Sequence, residues 1–271
     1  KYTAAAYNLT ARLPDGSGSG WASRAYNQLS LLRPDVLAET AISKAATARN
    51  PTGIEPGVYT VVLEPAAVAD MVAYMFFSAA ARQADEGRSA FARRGGGNRI
   101  GDTIVGENVR IHTDPSHPLA PTMSFDGEGL PTEKRVWVEK GVLQNLMYTR
   151  FWAEKMGKAP TASPSNLIMD GGTETVSDLI AGTRRGLLVT RFWYIRPLDP
   201  QTLLLTGLTR DGLFLIEDGK VTRPVKNMRW NESPIVALSN VDAMTAPERV
   251  VSGEGIGASG LSLVCPAARI R

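Results

Sequence analysis

At 271 residues, 43% hydrophobic and 21% charged, the chain has the composition of a globular protein with enough apolar side chains for a sizeable core, as one large domain or two small ones. Thirty Lys and Arg against 27 Asp and Glu leave a formal charge of +3, too small an excess to favour a nucleic-acid or membrane-surface partner. The single cysteine, Cys265, cannot form an internal disulfide, which excludes a stapled secreted scaffold and points to the cytoplasm.

The opening residues hold two runs around PDGSGSG, a Gly/Ser-rich turn that predicts a hairpin over residues 7–29. After Arg33, Val36, Leu37, Ala41 and Ile42 give an amphipathic helical pattern that Asn50 and Pro51 stop. VYTVVL, residues 58–63, is a continuous β-branched run and reads as a strand buried on both faces. Pro65 then starts a helix in which residues 68–77 carry one charge, Asp70, so it is expected to be covered on most sides. No stretch reaches the ~18 uninterrupted apolar residues of a membrane helix, and no signal peptide is visible after Lys1.

The polar, glycine-rich segment 82–102 is expected to be a mobile surface loop. Beyond it the pattern turns to strands: a hairpin around Lys140 and Gly141, a strand at NLIMDGG, and a helix opened by the capping pair Thr175 and Asp178. A meander follows, with Asp211-Gly212 and Asp218-Gly219 as its expected tight turns. The predicted class is α+β, predominantly antiparallel sheet with a buried central helix.

Residue chemistry yields few candidates. His112 and His117 are the only histidines, and a metal site built on them needs a third ligand such as Asp114 or Cys265. Pro115 and Pro118 place them on an extended loop with no shared face. Asp126 and Glu128 flank Gly127 and read as a turn rather than a cation loop. Arg93, Arg94 and Arg99 surround GGGN without the strand or the Lys-Ser/Thr ending of a phosphate loop. Cys265 has no histidine nearby in sequence, and no G-x-S-x-G is present.

Three stretches carry more information together than any residue alone: SFDGEGLPTEKRVWVEKGVLQNLMYTRFWAEKMG, SNLIMDGGTETVSDLIAGTRRGLLVTRFW and TGLTRDGLFLIEDGKVTRPVKNMRW. In this order and spacing the chain resembles the TldD/PmbA family of zinc-dependent peptidases, also labelled modulators of DNA gyrase. The resemblance runs from about 58 to 270 and implies that residues 34–271 form the family's C-terminal domain, with 1–33 the end of the region before it. TldD-like members carry His-Glu-x-x-x-His on the helix after the VVL strand. That position holds VAYMFF, residues 72–77, so Val72 and Phe77 stand where histidines are expected and Ala73 where the glutamate is. None of the three offers a lone pair or a titratable group. The family's third ligand is a cysteine in a C-terminal loop, whereas Cys265 lies in a strand-like segment.

The pattern implies a PmbA/TldE-type subunit with no catalytic residues of its own, and no cofactor in this chain. Zinc is expected only in a TldD-like catalytic partner, and the substrate is an unfolded or leader peptide. The chain is then expected to dimerise with that partner or with itself. The alternatives are a zinc peptidase with a rearranged site at His112 and His117, and a non-enzymatic regulator using the arginine-rich segment 88–99 to bind protein or nucleic acid.

Overall fold

The Gly/Ser-rich turn closes the expected hairpin. In the computed structural model, which describes residues 3–258 and 260–271, β1 (Ala5–Arg12) pairs antiparallel with β2 (Ser19–Tyr26). Helix α1 (Pro34–Thr47) lies across this hairpin, burying Leu37 and Ala41 against Ala22. The approach is close enough that a Cβ on Gly20 would stand 2.2 Å from the Ala41 carbonyl oxygen, so only glycine fits. Strand β3 (Thr60–Leu63) leads through Glu64 into α2 (Pro65–Phe77), where the proline's fixed φ and missing N–H suit the first helical position.

The next segment departs from expectation. Residues 82–102 are not a loose loop: they begin in α3 (Ala81–Asp85) and continue as ordered turns. Phe91 is buried as an anchor, and the Asn98 side chain donates to the Asp85 carboxylate at 2.6 Å and the Tyr148 hydroxyl at 3.0 Å. Its polar composition concealed long-range partners that offset the entropy of ordering.

Then come β4 (Ile111–Thr113), β5 (Arg135–Glu139), β6 (Val142–Leu143), α4 (Arg150–Met156) and β7 (Asn166–Met169). Lys140 and Gly141 both take positive φ, 47° and 75°, the geometry of a two-residue hairpin turn between β5 and β6. Thr175 and Asp178 make the reciprocal capping box of α5 (Val176–Ala181). The long pair β8 (Arg185–Asp199) and β9 (Leu204–Glu217) follows, with β10 (Lys220–Pro224), β11 (Arg229–Glu232), α6 (Pro234–Ser239), β12 (Val241–Met244), β13 (Glu248–Val250), β14 (Ser262–Cys265) and β15 (Ala268–Ile270).

Asp218-Gly219 turns β9 into β10, but Asp211-Gly212 is not a turn. Those two residues sit inside β9 opposite the single residue Thr190 of β8, a β-bulge with φ of 53° and 129°. The extra residue re-aims the Asp211 side chain into the interior.

Beyond the hairpin the described residues form two sheets. The first is ordered β10-β9-β8-β3-β15-β12, with β11 beside the other half of β9; the second is β13-β14-β7-β4-β5-β6. Among the described strand pairings only β3 with β8 and β7 with β14 are parallel, as the α+β antiparallel expectation requires. Helix α2 lies between the sheets, touching β8 and β3 of one and β14, β13 and β7 of the other. That position explains its near-total apolar surface. Among the described residues no helix is long and apolar enough to cross a membrane.

Candidate functional site

Val72 and Ala73 are fully buried on α2 and face hydrocarbon on every side that the core offers. Phe77 does not join them. It is 56% exposed at the end of the helix, with its ring edge-on to Tyr74 at 5.8 Å, so the expectation of a largely covered helix over 68–77 holds up to Phe76 and fails at Phe77. A helix leaves the space between two sheets at its last turn, and sequence periodicity does not reveal where that exit falls. The aromatic that packs is Phe76, buried edge-to-face on Trp137 at 5.0 Å.

The polar residue of α2 has a different role. Asp70 is wholly buried, and its carboxylate accepts from the backbone N–H of Gly253 at 3.1 Å and of Glu254 at 3.5 Å. Burial, augmented by the charge of Glu254, pushes its pKa up to about 7. The same turn is held from the other sheet. Arg191 of β8 donates to the Gly253 carbonyl at 3.1 Å while its guanidinium pairs with Asp211. Glu254 accepts from the backbone N–H of Tyr194, a residue held at a φ of 56°. Helix, strand and turn thus meet at 252–254. Asp70 stood out in the sequence as a lone charge on an apolar helix; its partners 183 and 184 residues away did not.

The histidines do not share one extended loop. His112 lies on β4, with Nε2 3.0 Å from Asp170 Oδ1. His117 follows in the next turn, its pKa held down by burial and by the neighbouring His112. Yet Asp170 is engaged by Arg110 as well, and those hydrogen bonds, His112 first, hold its carboxyl below the usual range. Asp114 pairs with Lys134. Cys265 is fully buried on β14 with its thiol pushed up by desolvation, the opposite of a metal-binding thiolate. Among the described residues no group of three His, Cys, Asp or Glu is placed to hold a metal ion. The donor set therefore does not fit a zinc site.

Asp126 accepts from the N–H groups of Glu128 and Leu130, both at 2.9 Å, and from Ser163 at 2.8 Å, closing a turn as expected. Two roomy concave surfaces stand out among the described residues. The larger, about 640 Å³, lies where β2 and α1 face the start of α2 and the β13 edge. Lys44 pairs with Glu64 there, and Arg24 with Glu248. Glu248 and Val250 of β13 line it, and β13 is an edge strand of the second sheet. The smaller, about 490 Å³, is formed by the 87–102 segment and the turn joining β8 to β9, and is lined by Arg93, Arg94 and Arg99.

Comparison with known proteins places this architecture. A protein named Metalloprotease from Methanothermobacter thermautotrophicus is 28% identical over 181 residues, covering 60% of this chain and 37% of that protein. A metalloprotease TldD homolog from Haemophilus influenzae is 25% identical over 159 residues, 52% of this chain and 32% of that one. The crystal structure of TldE from Thermococcus kodakarensis superposes with a TM-score of 0.83 at 20% identity, over 99% of this chain and 62% of the other, a likeness of fold. The match thus spans about a third of the curated relatives and three fifths of TldE. The family model for the PmbA/TldA metallopeptidase C-terminal domain matches residues 56–271, and the chain belongs to that family.

Proposed function

We propose that this chain is the PmbA/TldE-type, non-catalytic subunit of a TldD-type peptidase assembly in the cytoplasm, acting on unfolded or leader peptides. The observation that carries the reading is the chemistry of α2. At the positions where TldD-like members are expected to hold two zinc ligands and a base stand Val72, Phe77 and Ala73, two of them sealed in the core. A catalytic zinc site takes three protein ligands and an activated water, none of which those side chains can hold.

A subunit without chemistry can still bind. An extended peptide pairs with a sheet edge through main-chain hydrogen bonds, which need no catalytic side chain. The cleft beside β13 offers such an edge together with charged and apolar walls. The partner is a TldD-like subunit that brings the zinc, or a second copy of this chain.

The test is elemental analysis of chain purified without chelator, paired with a peptidase assay alone and after mixing with a TldD-like subunit. The expected result is no stoichiometric zinc and no cleavage alone, with chelator-sensitive cleavage by the mixture. One zinc per chain with activity abolished by His112→Ala and by His117→Ala would replace the reading with the rearranged-site peptidase.

A further inference from the structure

The pocket between the 87–102 segment and the β8–β9 turn has no part in the family's expected zinc site and shares no lining residue with the cleft beside β13. Its charge is unbalanced. Asp102 is the one carboxylate among the lining residues and is shared, pairing with Arg93 and lying 3.8 Å from Arg99. Arg94 lines the same pocket and, among the described residues, makes no ion pair. Segment 82–102 as a whole carries five arginines against three carboxylates, so it holds two of the three excess positive charges of the entire chain.

The pocket is also built before any ligand arrives. Arg99 is fixed by donating to the carbonyls of Ala90 and Thr103, both at 3.3 Å. The turn that presents Arg93 and Arg94 is closed by Arg93 N–H donating to Gly97 O at 3.0 Å and by Gly96 N–H donating to Arg93 O at 3.1 Å. Asn98 pins that turn to Asp85 and Tyr148. Gln201, whose amide lies 3.5 Å from the Gly87 carbonyl, forms the opposite wall with Thr202. The fixed Arg99 guanidinium gives the pocket a preformed cationic wall, and the planar fork of an arginine matches the two oxygens of a carboxylate.

We infer that this pocket is a docking site for an acidic peptide segment, whose carboxylates pair with Arg94 and with the N–H groups of Arg93 left over from Asp102. The inference rests on the proposed function only in taking the ligand to be a peptide. Nucleic acid is disfavoured because no aromatic side chain lines the pocket to stack a base. At about 490 Å³ the space accommodates one or two acidic side chains.

The test is fluorescence anisotropy on the 271-residue chain, using as probes a labelled tetraglutamate peptide, the same peptide with glutamine for glutamate, and a labelled oligothymidylate. The tetraglutamate peptide is expected to bind and the glutamine peptide not. Arg94→Ala should weaken binding by roughly two- to fivefold, the worth of one solvent-exposed ion pair, and Arg94→Lys should recover part of the loss. Arg94 is exposed and unpaired among the described residues, so its removal leaves the fold intact, which an unchanged thermal midpoint verifies. Equal binding of the glutamine peptide, or no effect of Arg94→Ala, overturns the inference. Oligothymidylate binding as tightly with the same dependence on Arg94 overturns it in favour of nucleic acid. Because binding is read on this chain alone, failure here leaves assembly with a zinc-bearing subunit untouched, and failure of that assembly leaves this result standing.

Discussion

Arg191 Nε donates to Asp211 Oδ2 at 2.9 Å inside the molecule, a pair joining neighbouring strands at a bulge rather than at a regular rung. Both residues are buried, and the guanidinium is sandwiched between Trp21 of the hairpin, 4.9 Å away, and Trp193 at 5.3 Å. One cation therefore ties together β8, β9, the hairpin and the 252–254 turn.

Removing its partner leaves that charge buried and uncompensated. Asp211→Ala should cost about 3 to 5 kcal/mol, measured by denaturant unfolding, because the loss is the desolvation of Arg191 rather than the net worth of the pair. A loss below ~1 kcal/mol would show that solvent reaches the guanidinium.

Adjacent phenylalanines of α2 should behave in opposite ways. Phe76→Ala empties a packed site against Trp137 and is expected to cost roughly 3 to 5 kcal/mol. Phe77→Ala removes a ring that is already more than half in solvent and should change stability by less than ~1 kcal/mol. Equal losses in thermal or chemical unfolding would mean that the helix continues into the core.

The Asp70 carboxyl makes stability depend on pH in a set direction. Unfolded, it titrates near 4; folded, at about 7. Between these values the native state holds a proton that the unfolded state has released, so this group's contribution falls as pH rises from about 4 to about 7. The total is on the order of 4 kcal/mol. Asp70→Asn cannot titrate, and its stability relative to the parent should rise across that window. A constant difference between parent and variant, followed by urea midpoints from pH 4.5 to 7.5, would rule out the protonated carboxyl.

A methyl group at Gly253 would stand 2.1 Å from the Phe192 carbonyl oxygen. Gly253→Ala should therefore push the 252–254 turn off β8 and release the bonds to Asp70 and Arg191, raising amide exchange at Glu254 and Tyr194. Unchanged protection at both amides would show that β8 yields instead.

Local chemistry made much of this fold readable. The Lys140-Gly141 turn, the Thr175 and Asp178 capping box and the proline start of α2 each depend on a few consecutive residues, and each stands as the sequence implies. The departures share one cause. Asp211-Gly212 has turn composition, but Arg191, 20 residues upstream, captures the aspartate and keeps the strand running. Segment 82–102 reads as loop until Phe91 and the Asn98 contacts to Asp85 and Tyr148 are known. The 252–254 turn, where α2 and β8 converge, is a short glycine-containing stretch with no recognisable signature of its own. In each case the deciding partner is set by tertiary contact, which neither periodicity nor turn propensity encodes.

The burial of Val72 and Ala73 between two sheets also bears on how such a chain can change over generations. A histidine in place of Val72, or a glutamate in place of Ala73, must find volume in a close-packed interior and partners for its polar atoms, and an intermediate carrying one of the two gains nothing while losing stability. The two steps inside the core, at 72 and 73, thus each lower stability, and the helix resists being turned into a metal site one substitution at a time.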